Sequence, residues 1–141
     1  MSKVVLDASA AVRLVVPGPP MSPSVQETLD DADTVVVPSL YSSEVANALW
    51  KYVHLGELTL DDAKAMLSNA LGFANTEQLI DASLATEALG EACRLTHPVY
   101  DLIYAVLARR LSAPLITCDG RLASVAETLG IEVIGCKKDE S

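Results

Sequence analysis

Short, mostly continuous apolar runs recur along the chain, and segments of helical spacing separate them. Val4-Val5-Leu6 ends at Asp7, and Thr34-Val35-Val36-Val37 ends at Pro38. Pro114-Leu115-Ile116-Thr117 ends at Cys118-Asp119, and Ile131-Glu132-Val133-Ile134 closes the series. A strand without a polar face must be covered on both sides, and strands that alternate with helices pair in parallel. The pattern predicts a three-layer α/β fold, a parallel sheet of four to five strands flanked by helices. Thr76 to Ile80 offers the remaining short strand, with weaker content.

Helix signals fill the intervals. Ser9–Val16 is stopped by Pro17-Gly18-Pro19-Pro20, and the proline-rich stretch to Pro23 reads as a surface loop. Ser24–Ala32 follows. A helix from about Leu40 to Leu55 is closed by Gly56, and Thr59 caps another that runs to about Phe73. Asp81 or Ser83 caps a helix to Arg94, and Pro98 suits the first turn of one ending at Leu111. Arg121–Leu129 is ended by Gly130.

The chain has 141 residues, half of them apolar and only 4% aromatic, so a single domain over 1–141 with an aliphatic core is expected. A charged tail begins at about residue 137. No apolar run reaches the roughly 18 residues of a membrane span, and Asp7 and Arg13 interrupt any signal-like core. A cytoplasmic protein is expected. Cys93, Cys118 and Cys136 are odd in number and lack a CxxC pair, so free thiols are expected.

Parallel α/β sheets bind ligands beyond the carboxyl ends of their strands. Asp7 and Asp119 follow two of the predicted strands and should project from one sheet edge; each also suits a helix N-cap. Glu44 lies at the border of a core face formed by Val45, Ala48, Leu49 and Tyr52, in line with Asn47 and Lys51. That position fits either a site acid or a solvated one. Asp101 opens the most apolar helix, Leu102–Ala108. Helix-dipole stabilisation accounts for its type, but an unpaired carboxylate beside so apolar a segment is costly.

Jointly, four acids brought close would repel, and a divalent cation reverses the sign of that interaction. All-oxygen ligation suits Mg²⁺ or Mn²⁺. His54 and His97 have no partner ligands at zinc spacing. A hard cation held by carboxylates serves phosphoryl chemistry. GxGxxG, GxxxxGK[ST] and GxSxG motifs are absent, which removes dinucleotide, P-loop and serine-hydrolase readings. A Cys118 nucleophile has little in its favour, since a strand-end cysteine is ordinarily packing. Trp50, off the core face, suits a helix–helix or subunit contact.

Four segments together resemble PIN-domain ribonucleases, above all the VapC toxins of bacterial type II toxin–antitoxin pairs. They are Val5–Ser9, Pro38–Leu49, Tyr100–Ala105 and Leu115–Leu122. The resemblance implies Asp7, Glu44, Asp101 and Asp119 around one or two Mg²⁺ or Mn²⁺ ions. It further implies RNA cleavage by a metal-activated water, with Asp7 and Asp101 as principal ligands. Ser9, Asn47 and Thr117 fall where the family orients its carboxylates or contacts phosphate. Lys51 ranks first among candidate phosphate contacts, ahead of Arg13, Arg109, Arg110 and Arg121. A homodimer is implied, inhibited by a small antitoxin protein lying along a groove. The Pro17–Pro23 loop and Gly120, in place of a bulkier residue, depart from the family pattern.

A catalytically weak PIN-like binding or scaffold module is the competing reading. A phosphatase is a third, but Ser9 stands where a second acid would be needed. The formal charge of −9 argues at first against a nucleic-acid substrate. Setting aside the four site acids leaves 15 acidic against 10 basic residues, a balance of −5. A bound cation can supply the local positive field. Few phosphate contacts then remain to be expected.

Overall fold

The computed structural model describes residues 2–136, so the charged tail from 137 lies outside the described residues. The strands are β1 (Lys3–Leu6), β2 (Thr34–Pro38), β3 (Thr76–Gln78), β4 (Leu115–Thr117) and β5 (Val133–Gly135). They form one sheet in the order β3-β2-β1-β4-β5, every pair parallel. The helices are α1 (Ala8–Val15), α2 (Pro23–Asp31), α3 (Tyr41–His54), α4 (Leu60–Gly72), α5 (Ala82–Leu95), α6 (Val99–Leu111) and α7 (Gly120–Thr128). The expected alternation is present throughout.

Period-two alternation sorts the strand side chains between two cores. Val4, Leu6, Val35, Val37 and Ile116 pack with α1, α3 and α4 on one face. Val5, Val36 and Leu115 pack with α6 and α7 on the other. Helix α5 then covers the outer side of α6 through Leu84, Ala88 and Ala92 against Leu102, Ile103 and Val106. This explains why Leu102–Ala108 is apolar all round: α6 lies between the sheet and α5, and all seven residues are buried. Edge strand β3 is exposed along its length, and its Thr-Glu-Gln sequence suits an edge that must not recruit another strand.

The expectation of free thiols is corrected at two positions. Cys118 and Cys136 form a disulfide, while Cys93 is free and exposed. Strand register is the reason. Thr117 pairs with Gly135, so the next residue on each strand stands abreast, with Cα atoms 4.8 Å apart, well within bridging range. Cys136 also accepts a backbone hydrogen bond from Ser22, which ties the end of the proline-rich loop to β5. None of the described helices is long and apolar enough to cross a membrane.

Candidate active site

The chain leaves β1 toward β2 on one side and returns to β4 on the other, so a crevice opens at the carboxyl ends of β1 and β4. Register pairs Leu6 with Ile116, placing Asp7 abreast of Thr117. The Thr117 hydroxyl donates to Asp7 Oδ2, and the Ser9 backbone N–H donates to Asp7 Oδ1. The N-cap expectation for Asp7 is therefore met, with one oxygen used on α1 and the other on β4. Thr117 Oγ1 accepts from the Asp119 N–H (3.0 Å), and Ser9 Oγ accepts from the Cys118 N–H (3.0 Å). Ser9 and Thr117 thus join the two strand ends beneath the acids.

Asp7 is only 4% exposed. Burial raises its carboxyl above the ordinary 3.8, against the opposing pull of its hydrogen bonds to Thr117 and Ser9. Glu44, in the first turn of α3, accepts a 2.7 Å hydrogen bond from the buried Tyr104 hydroxyl. Its carboxyl is raised above 4.5 chiefly by burial, with the Asp7 and Asp101 charges adding to the rise. Glu44 thus stands within electrostatic reach of both. Asp101 stays partly exposed in the first turn of α6, and its Oδ2 lies 2.8 Å from His97 Nε2. Asp119 caps α7 by accepting from the Arg121 and Leu122 N–H groups, and the charges acting on Glu44 are those of Asp7 and Asp101. Asp7 and Asp101 therefore both act on Glu44, and Asp119 adjoins Asp7 through Thr117.

A cavity of about 680 Å³ runs from this edge between α1 and α3. Glu44 and Ser9 mark its acidic end, Asn47 and Lys51 line it, and Arg13 lies on its wall. Ala8, Val12, Ala48, Tyr52 and Leu55 form its apolar lining. Of the other basic candidates, Arg109 and Arg110 are engaged by Glu87 and Glu91 across α5 and α6.

The hydrogen bonds of these acids leave oxygens that a hard cation could take. Among the described residues, Glu44 Oε2, Asp101 Oδ1 and Asp119 Oδ2 have no hydrogen-bond donor, and Asp7 and Glu44 make no ion pair. As they stand, no three His, Cys, Asp or Glu side chains among the described residues are gathered closely enough to enclose an ion. The chemistry of the donor set fits a divalent cation.

The raised carboxyls carry a stability consequence. A group whose pKa is higher folded than unfolded contributes stability below its unfolded value and loses it as pH rises through the folded value. Without metal, Asp7 and Glu44 should make the melting temperature rise as pH is lowered from 7 toward about 4.5. Below that, Glu91 acts oppositely, because Arg94 and Arg109 hold it down at about 2. Thermal melts across pH check this. Added Mg²⁺ should raise the pH 7 value and flatten the slope, whereas a slope unchanged in Asp7→Asn would exclude Asp7 as its source.

Sequence reasoning missed Tyr104, His97 and the disulfide. The Glu44–Tyr104 contact joins residues 60 apart and has no local signal. His97 stands four residues before Asp101, a spacing visible in the chain but hidden by Pro98 between them.

Residues 4–128 match the PIN domain. The chain is 33% identical over 122 residues to Ribonuclease VapC3 of Pyrobaculum aerophilum, covering 86% of this chain and 92% of that protein. Among solved structures it resembles PAE2754 from Pyrobaculum aerophilum, with a TM-score of 0.70 and 24% identity over 91% of this chain and 86% of that one. It also resembles VapBC2 from Rickettsia felis, solved bound to a DNA fragment from its promoter. There the TM-score is 0.66 at 14% identity, covering 96% of this chain and 99% of the other. The chain belongs to the PIN-domain family and, within it, groups with the VapC ribonucleases.

Proposed function

We propose that this protein is a divalent-metal-dependent endoribonuclease, the toxin of a toxin–antitoxin pair, acting through Asp7, Glu44, Asp101 and Asp119. The observation that carries this reading is the buried Asp7 at the β1–β4 crevice with Glu44 under the charges of Asp7 and Asp101, Asp7 and Glu44 both being raised toward protonation and neither ion-paired. Relatedness to a protein named as a ribonuclease supports the substrate class.

Asp7, Glu44 and Asp101 would hold Mg²⁺ or Mn²⁺, with Asp119 completing the set directly or through water. When bound, the cation supplies Lewis acidity toward the scissile phosphate and the attacking water. The chain's own residues do the rest. Thr117 and the Ser9 N–H fix both oxygens of Asp7, so its orientation is set before any ligand arrives. Tyr104 occupies Glu44 Oε1 and leaves Oε2 without a donor among the described residues. Asn47 and Lys51 line the route by which a phosphate chain would approach, with Lys51 as its cation. The same cavity suits a basic, partly apolar antitoxin segment, and exposed Trp50 and Leu55 on the α3 side suit the contact of a homodimer.

The test is purified protein, free of any partner, incubated with structured and unstructured RNA. Cleavage should require Mg²⁺ or Mn²⁺ and stop on chelation. Binding without cleavage of any RNA would favour the scaffold reading. With one or two free basic residues at the cavity, the logarithm of RNA affinity should fall with log salt at a slope of only about −1 to −2. Filter binding between low and moderate salt measures it; a slope of −5 or steeper would mean a basic surface elsewhere.

A further inference from the structure

We infer that His97 is a positioning residue of the active site, holding the Asp101 carboxylate through a hydrogen bond from Nε2–H to Oδ2. The inference rests on the metal-dependent reading above and extends it to a residue outside the acidic quartet. An ionised carboxylate can only accept, so the imidazole nitrogen 2.8 Å from Oδ2 carries the hydrogen.

Local geometry excludes a capping-box bond for the acid in this place. Asp101 is the third residue of α6, where an acid commonly reaches back to the N–H of the N-cap. The N-cap is Pro98, which has no N–H, and it makes no side-chain cap bond. The carboxylate instead meets His97, and its other oxygen, Oδ1, stays free among the described residues.

His97 is itself held on both sides. Its N–H donates to Ala92 O (3.0 Å) as the terminal bond of α5, after Thr96 has turned the chain in the left-handed region at φ 53. Pro98 follows, and a residue preceding proline is confined to extended backbone. The imidazole, 12% exposed at the side chain, is thereby presented to α6 from a fixed backbone. Hydrogen bonds of this kind aim ligating groups, and their loss typically weakens metal affinity by about 10–100-fold.

The test uses Mn²⁺ calorimetry and steady-state RNA cleavage on full-length wild type, His97→Phe and His97→Gln, with melting curves to establish folding. His97→Phe should weaken Mn²⁺ binding about 10-fold or more and lower kcat at limiting metal, leaving KM for RNA unchanged. His97→Gln keeps an N–H at matching reach and should recover most of the affinity. In metal-free wild type, long-range ¹H–¹⁵N correlation should find hydrogen on His97 Nε2. Wild-type Mn²⁺ affinity in His97→Phe, or a Gln variant as impaired as Phe, would overturn the inference. A bare Nε2 in the metal-free protein would do the same. If His97→Phe does not fold, the Gln variant and the imidazole spectrum decide. If wild type itself neither binds Mn²⁺ nor cuts RNA, the ribonuclease reading fails, and the spectrum still decides whether His97 holds Asp101.

Discussion

Asp7→Asn should lower metal-dependent RNA cleavage by about 10²–10³-fold or more, the usual cost of removing a group that stabilises reacting charge. The substitution is nearly isosteric, so the loss should not come from unfolding. An asparagine oxygen can still accept from the Ser9 N–H, and the Thr117 hydroxyl can turn to accept from the amide. The variant should melt at or above wild type in the absence of metal, because it removes a buried charge whose ionisation burial opposes. Mg²⁺ should then stabilise it less than wild type. Loss of activity with preserved or improved stability separates a site acid from a structural cap. A large metal-independent fall in melting temperature, with activity lost only in proportion, would assign Asp7 to α1 capping alone.

Reduction of Cys118–Cys136, or Cys136→Ser, should be the largest stability change available outside the core. The bridge closes a loop of sequence separation 18, for which chain-entropy arguments give about 3 kcal/mol. For a chain of this size that corresponds to about 10 °C in melting temperature. The strands β4 and β5 carry only three residues each, so their backbone pairing is short. The loss should reach the site as well, because Cys118 lies between Thr117 and Asp119 and its N–H bonds Ser9. Melts with and without a dithiol reductant, repeated on Cys136→Ser, provide the measurement. Equal melting temperatures would mean that the parallel pairing of β4 with β5 is sufficient alone.

Much of the architecture could be read from residue order, because each strand is a local signal. Val4–Leu6, Thr34–Val37 and Leu115–Thr117 announce both strand and burial, and Asp7, Thr59, Asp81 and Asp119 mark helix starts through their caps. The relations between strands are not local. That Cys118 meets Cys136 depends on β4–β5 register, and that Thr117 reaches Asp7 depends on β1–β4 register. Both were hidden until the strand order was known. Glu44 illustrates the intermediate case: helical spacing puts it at a core margin, but only the tertiary fold, which brings the Tyr104 hydroxyl of α6 within reach of it, supplies its partner. In residue order Asp101 is an acid near an apolar helix with no evident partner. His97 is that partner, and Pro98 is what conceals it, because the pair spans a helix boundary where the four-residue spacing has no fixed geometry.

The net charge of −9 now has a structural reading. Arg109 and Arg110 are spent on Glu87 and Glu91, so the cavity keeps mainly Lys51 and Arg13 as its basic groups. On the proposed reading, RNA held this way would depend on a cation at the acids more than on a basic surface.

The most direct test of that dependence is one assay on one preparation. RNA cleavage by the purified wild-type protein is followed with Mg²⁺, then with excess chelator, then with Mg²⁺ restored, with Asp7→Asn run in parallel. Cleavage that stops on chelation, returns with the cation and is absent from Asp7→Asn is the predicted result. Cleavage that continues through chelation, or that Asp7→Asn carries out at the wild-type rate, would contradict a metal-dependent site at the β1–β4 crevice.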